Sequence, residues 1–160
     1  MFKKVNFHKV IIGRIEKISF PELDLFDLPA KVDTGAFRSS IHAKNIKVNH
    51  KTKELSFTLL DGHNSSKGKK VTTSAKNYKI VSVKNSFGKS ENRYEVKLKV
   101  KLMHKSFKTV FTLADRTNLN FPILLGRKLL SGRYIIDSSQ TGIDEDTLKR
   151  DYDVVIENED

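Results

Sequence analysis

The chain has 160 residues, with 30 Lys+Arg against 19 Asp+Glu, a formal net charge of +11 and 38% hydrophobic residues. That length predicts one domain, able to bury roughly two-thirds of its unfolded surface. The absence of Cys excludes a disulfide scaffold, a thiol nucleophile and a thiolate metal site, and no apolar run is long enough to span a bilayer as a helix.

The N-terminal Met1-Phe2-Lys3-Lys4-Val5-Asn6 carries charge but no continuous apolar region, so no signal peptide is read and a cytoplasmic protein is expected. The charge is uneven. Residues 144–160 hold eight acidic and two basic residues, which leaves 28 basic against 11 acidic over residues 1–143. The division expected is therefore a domain over 1–143 and an acidic tail over 144–160. The lysines alternate singly along strands, without an RNP, KH, zinc-finger or helix-turn-helix signature, so a solvated basic surface is expected and nucleic acid is not an expected partner.

In chain order, Lys9 to Ile18 is an apolar-rich run closed by Phe20-Pro21, and Leu28 to Val32 is an extended segment leading into Asp33-Thr34-Gly35-Ala36. Ile46 to Asn49 and Leu55 to Leu60 flank the turn-prone Asn49-His50-Lys51-Thr52-Lys53 and predict a hairpin. Asp61 to Gly68 is a polar loop. Lys79 to Val83 and Arg93 to Leu102 alternate around a turn at Asn85 to Ser90. In the second, Tyr94, Val96, Leu98, Val100 and Leu102 share one face and Glu95, Lys97, Lys99 and Lys101 the other, the clearest strand signal in the chain. Phe107 to Leu113 alternates again. Ile123-Leu124-Leu125 before Gly126 suits a buried strand, while Arg127 to Ser131 and Asp144 to Asp151 read as short helices. The fold class expected is all-β, a closed or partly closed β-barrel with one or two short helices.

Two segments carry more than fold information. In Ala30 to Ala36 an extended segment ends on a carboxylate, then a small hydroxyl residue, then a Gly that lets another backbone approach. Asp-Thr-Gly alone is also a common turn tripeptide, and Ile123 to Arg127 alone is equally explained by core packing. The pair, in this order in an all-β chain, is far more specific than either part.

Asp33-Thr34-Gly35-Ala36 followed by Ile123-Leu124-Leu125-Gly126-Arg127 resembles the retropepsins, the single-lobed aspartic proteases related to retroviral proteases. More closely, the chain is similar to a bacterial retropepsin-like family long labelled "ATP-dependent zinc protease". The likeness includes Ala30 to Ala43, residues 86–93, Thr112 to Arg116 and Phe121 to Arg127, and covers roughly Val10 to Asp137. It implies a barrel protomer whose homodimer sets two Asp-Thr-Gly loops side by side. Asp33, Thr34 and Gly35 would form the catalytic loop. Ala36, Leu124 and a flap at Ser86, Phe87 and Gly88 would meet the substrate. Gly126 and Arg127 would support the loop. In retroviral enzymes an acidic residue after Asp-Thr-Gly-Ala serves as the partner of that Arg; here the position is Phe37, so Asp115 or a backbone carbonyl must substitute. Arg38, Glu91, Arg93 and Arg116 match family positions and are expected to form surface ion pairs.

The label's zinc and ATP do not fit these residues. No two of His8, His42, His50, His63 and His104 stand at i, i+4, as a helical zinc site would need. Gly88-Lys89-Ser90 lacks the upstream Gly of a phosphate-binding loop and lies between strands. No metal and no cofactor are expected, and each His reads as surface or core, His42 being the one close to the loop.

One carboxylate is a weak catalyst of amide hydrolysis, whereas two held about 3 Å apart share a proton and divide the acid and base roles. The chain holds a single Asp-Thr-Gly. An aspartic endopeptidase acting as a homodimer on acidic or neutral peptides is the leading expectation. A glutamate-tailed protein is a conceivable target from the family's association with amide ligases. A catalytically silent peptide-binding or dimerisation module is the alternative.

Overall fold

The structure is a computed structural model that describes residues 8–63, 68–85, 87–154 and 156. Ser86, residues 64–67 of the polar loop, the N-terminal hexapeptide and residues 157–160 of the acidic segment lie outside the described residues. The strands are β1 (Val10–Ile12), β2 (Ile15–Phe20), β3 (Leu25–Val32), β4 (Ser39–Val48), β5 (Leu55–Leu59), β6 (Lys69–Thr73), β7 (Tyr78–Lys84), β8 (Ser90–Leu102), β9 (Lys105–Ala114), β10 (Ile123–Leu125) and β11 (Tyr134–Ile136). The α-helices are α1 (Arg127–Leu130) and α2 (Glu145–Tyr152).

Six strands close a ring in the order β3, β2, β8, β9, β4, β10 and back to β3. β10 is the closing stave, parallel to β3 on one side and antiparallel to β4 on the other. β5 and β6 extend the sheet outward from β4, and β7 pairs with β8 alone. The barrel expectation therefore holds, and closure leaves few open edges among these strands.

The alternation of β8 decides its facing: Val96, Leu98, Val100 and Leu102 are buried while Lys97, Lys99 and Lys101 are exposed. Inside, the rings of Phe20 and Phe111 meet edge to face at 5.5 Å, packed with Ile18, Ile41, Leu113, Ile123 and Leu125. Edge-to-face contact of this kind adds to the burial of the rings themselves.

The run Lys9 to Ile18 is two strands, not one. At Gly13 a Cβ would lie 2.3 Å from the Gln140 carbonyl oxygen, so only glycine fits beneath that passing chain. Before the break β1 pairs in parallel with β11, and after it β2 joins the barrel. Residues 144–152 do form the expected helical turn. Asp144 caps α2 by accepting from the Thr147 N–H at 2.8 Å. Leu148, together with Ile143 and Val154, packs on Ile15 and Phe121 in a second small core.

Candidate active site

The site is built where β3 runs out. The Asp33 N–H donates to the Leu125 carbonyl at 2.9 Å, so the strand hands over to β10 at the residue that carries the carboxylate. The next residues turn back on it. The Gly35 N–H donates to Asp33 Oδ1 at 2.9 Å and the Ala36 N–H to the Asp33 carbonyl at 3.3 Å. Asp33 is half-buried, and Thr34 and Gly35 are exposed at the tip. A side chain at Gly35 would start 3.2 Å from Asp33 Oδ1, which crowds the carboxylate that the turn orients.

The second segment locks this loop from behind. The Gly126 N–H donates to Ser39 Oγ at 3.0 Å, and the N–H groups of Arg127 and Lys128 donate to the carbonyls of Ala36 and Phe37 at 2.8 and 2.9 Å. A Cβ on Gly126 would stand 2.5 Å from the Arg38 carbonyl oxygen, so glycine is required for this approach of backbone to backbone. The Arg127 side chain reaches round to donate from Nη1 to the Thr34 carbonyl at 3.0 Å. Of the two partners left open by the sequence, the carbonyl is the one used. Asp115 instead accepts from the Thr117 N–H at 3.0 Å, and that hydrogen bonding, with the Thr117 hydroxyl first, lowers its proton affinity.

Asp33, Thr34, Gly35, Ala36, Gly126 and Arg127 are thus gathered into one unit. Leu124 sits half-buried in β10, opposite Lys31 and Ser40. Phe87 and Gly88 lie at the tip of the β7–β8 hairpin, where Asn85 Oδ1 accepts from the N–H groups of Phe87 and Lys89 at 3.0 Å. Phe87 is 88% exposed, and no hydrogen bond among the described residues ties this tip to the Asp33 loop.

Two neighbours, Phe37 and Glu95, were not assigned a role by sequence. Phe37 stands within 6.0 Å of three cations, with Arg38 at 5.6 Å, Arg127 at 5.8 Å and Lys128 at 6.0 Å from the ring centroid. Glu95 has a side chain only 1% exposed; it pairs directly with Arg38 and faces the ammonium groups of Lys79 and Lys128, each at 3.7 Å. Arg93–Glu91 is a surface ion pair, as expected, whereas Arg38 departs from that expectation by pairing with the buried Glu95.

Arg116 corrects the expectation of a surface pair. It is buried, and its Nε donates to the Phe121 carbonyl at 3.0 Å. Burial first and Arg93 next push its guanidinium down to about 10, while Asp33 opposes them, so Arg116 feels both the second guanidinium and the carboxylate of the loop. The His42 ring, fully buried, fixes the Arg116 backbone: Nδ1 accepts the Arg116 N–H at 2.8 Å and Nε2 donates to the Asp61 carbonyl at 2.7 Å. Those two partners select the neutral ring with its proton on Nε2. The proximity of His42 to the loop in sequence was the one available signal; Glu95 gave none, because it alternates with lysines on an outward face.

Comparison with known proteins agrees with this geometry. Residues 11–147 match the RimB-like family, described as "Retropepsin-like aspartic endopeptidase RimB". A "Probable alpha-L-glutamate ligase" of Shewanella pealeana is 34% identical over 139 residues, which is 84% of this chain and 30% of that protein. One of Desulfotalea psychrophila is 36% identical over 131 residues, 81% of this chain and 28% of that protein. The chain therefore spans less than a third of the length of these relatives. A crystal structure of a Legionella pneumophila protein of unknown function (DUF785) superposes with a TM-score of 0.64 at 29% identity, covering 82% of this chain and 95% of that one. By the match over 11–147 and the paired Asp-Thr-Gly and Leu-Leu-Gly-Arg segments, the chain belongs to the RimB-like family of retropepsin-like proteins.

Proposed function

We propose that this chain is an aspartic endopeptidase, active as a homodimer that places one Asp33 from each subunit on the two-fold axis. The observation that carries the reading is the loop itself. A half-exposed carboxylate is oriented by the Gly35 N–H and backed by Arg127 through the Thr34 carbonyl. Each chain supplies one such loop, so the second carboxylate comes from a second copy.

Two carboxylates about 3 Å apart titrate as a pair and hold one proton between them. The ionised member takes a proton from a water, which attacks the scissile carbonyl carbon. The protonated member donates a hydrogen bond to the carbonyl oxygen as charge builds there. The tetrahedral intermediate then collapses as a proton passes to the leaving nitrogen. Thr34 would brace its counterpart across the axis. Gly35 and Ala36 would leave room for the substrate backbone, with Leu124 beneath it. The hairpin carrying Ser86, Phe87 and Gly88 would close over the cleft and exclude water.

Acidic peptides are the substrate class we favour, glutamate-rich ones first. Arg116 lies close enough to Asp33 for their charges to interact, and Arg93 stands near Arg116. The relatives carrying this segment are named for glutamate ligation.

The test is cleavage of a diverse peptide library, with glutamate-tailed members, by wild type and Asp33→Asn from about pH 4 to about pH 8, followed by mass spectrometry. Cleavage by wild type alone, bounded by two apparent pKa values, supports the reading. Equal cleavage by both proteins removes Asp33 from the chemistry. Binding of peptide without cleavage by either one favours the silent module.

A further inference from the structure

The singly alternating lysines that argue against nucleic acid in the sequence are brought together by strand pairing. Lys97, Lys99 and Lys101 of β8 all point outward, and in the antiparallel register Lys99 lies directly opposite Lys108 of β9. Ser106 and Val110 occupy the other outward positions of β9, opposite Lys101 and Lys97. On the other flank β2 continues the face, with Ser19 opposite Lys101 and Lys17 exposed beside them. Alternation along one strand becomes a cluster once neighbouring strands alternate in phase.

This cluster is not neutralised by its surroundings. Among the described residues no ion pair engages Lys97, Lys99, Lys101 or Lys108. The nearby carboxylates stand at the border: Asp151 of α2 senses Lys17, and Glu16 and Asp27 share a groove wall with Lys17 and Lys101. Like charges set directly opposite on a sheet are destabilising, so the Lys99–Lys108 pair is a local cost of folding that an anionic partner would relieve.

The face also opens into a groove of about 560 Å³. Lys17 and Lys101 line it together with Phe26, 56% exposed, and Met103, 48% exposed; Asp27 is also on its wall. An interface with an acidic protein would call for an apolar centre within the charged patch, whereas the outward strand positions offer Lys, Ser and a single Val, and the exposed apolar side chains Phe26 and Met103 stand at its edge. A basic track ending at an exposed aromatic ring is instead the arrangement that holds a phosphate backbone and stacks an unpaired base.

We propose that the outer face of β2, β8 and β9 is a binding surface for single-stranded nucleic acid, with Lys17, Lys97, Lys99, Lys101 and Lys108 on the phosphates and Phe26 stacking a base. The surface is separate from the Asp33 loop and does not depend on peptidase activity.

The experiment is fluorescence anisotropy with a 5′-labelled, mixed-sequence single-stranded RNA of about 20 nucleotides, a length beyond one site on this face. Five phosphate contacts at about −0.7 each predict a log–log salt slope near −3.5, a loss of roughly 100-fold between about 50 and 200 mM salt. The triple variant Lys97→Gln, Lys99→Gln, Lys108→Gln should bring the slope to about −1.4, and Phe26→Ala should weaken binding roughly 5- to 150-fold at unchanged slope. Asp33→Asn should bind as wild type does. The control removes the same charge elsewhere, with Lys47→Gln, Lys51→Gln and Lys53→Gln on the β4–β5 hairpin, and should leave the slope near the wild-type value. Equal loss in the control would reduce the effect to net charge and overturn the site. Absence of binding at about 50 mM salt, or tighter binding to an acidic peptide than to RNA, would overturn it as well.

Discussion

Replacing the carboxylate of Glu95 should loosen the loop that carries Asp33, although Glu95 belongs to a different strand. Its Oε2 accepts directly from Arg38, while Oε1 has no hydrogen-bond donor and is balanced only by the ammonium groups of Lys79 and Lys128 at 3.7 Å. At an effective dielectric of about 20, each such pair would be worth about 4 to 5 kcal/mol before screening. The lysine side chains are 64% and 37% exposed, so water recovers most of that on their side, and the direct Arg38 bond is the dominant contribution. A charge-assisted hydrogen bond contributes about 1.5 to 3 kcal/mol, and Gln keeps the volume and an acceptor while removing the charge. Glu95→Gln is therefore expected to cost about 2 kcal/mol, a fall in Tm of about 4 to 8 °C for a domain of this size. Glu95→Ala, which also leaves a cavity, should cost about 3 to 5 kcal/mol. Thermal melts by circular dichroism give the first number. Amide exchange at Arg127 and Lys128, whose N–H groups hold Ala36 and Phe37, gives the local consequence. A Glu95→Gln protein that melts within about 1 °C of wild type, with unchanged exchange at those two amides, would refute the argument.

Gly126→Ala should be among the most damaging single methyl additions, because the new Cβ meets the Arg38 carbonyl carbon and oxygen at 2.6 and 2.5 Å. A loss of about 1 to 3 kcal/mol in chemical denaturation, with loss of cleavage, is expected. Arg127→Ala should leave the melt close to wild type, since the side chain is exposed, but lower cleavage by freeing the Thr34 carbonyl. Tyr134 is buried and donates its hydroxyl to the Leu102 carbonyl at 3.0 Å, and burial pushes its pKa up to about 12. A phenol whose pKa rises from about 10 on folding stabilises the fold below pH 10 and loses that contribution as pH climbs towards 12. Alkaline unfolding monitored beside tyrosinate absorbance should begin earlier in wild type than in Tyr134→Phe. The Asp144 carboxyl is held below its ordinary range chiefly by the Thr147 N–H and then the Thr147 hydroxyl. Its stabilisation of α2 is present above the ordinary aspartate pKa and lost as pH falls through the lowered one, so exchange at Leu148 and Val154 should accelerate at acid pH in wild type and be fast throughout in Asp144→Ala.

Much of the barrel was legible because period-2 alternation needs only one buried face. Tyr94 to Leu102 shows it over nine residues, and Phe107 to Leu113 repeats it. β6 (Lys-Lys-Val-Thr-Thr) and β11 (Tyr-Ile-Ile) were not legible. The first is an edge strand with no buried residue, and the second is three residues long and pairs only with β1. The break at Gly13 depends on the chain crossing at Gln140, which no local pattern encodes. The Asp-Thr-Gly and Leu-Leu-Gly-Arg segments were legible as a pair, and their contact is the one the structure makes. Glu95 and Arg116 were not: Arg38 and Lys128, remote in sequence, cover the one, and the other is fixed by the buried His42, 74 residues away, as well as by the turn ending at Phe121.

The substitution at Phe37 connects these details. A carboxylate there would sit on the exposed loop beside Arg127, and this chain places an aromatic ring in that position instead. The ring offers its face to three guanidinium or ammonium groups, each contact worth about 0.5 to 1 kcal/mol at an exposed site. Such contacts orient cations without cancelling their charge. The negative charge that does so comes from Glu95, inside the barrel wall and reached by Arg38 and Lys128 from the loop side. Orientation and neutralisation, which one carboxylate would perform together, are thus divided between a ring on the rim and a carboxylate beneath it. Arg38, Lys79 and Lys128 then share a single buried counter-charge, while Arg127 is held by the Thr34 carbonyl, and the rim of the Asp33 loop stays electropositive. An acidic chain approaching as proposed above would meet attraction there before it meets Asp33, which links the departure at Phe37 to the proposed preference for acidic substrates.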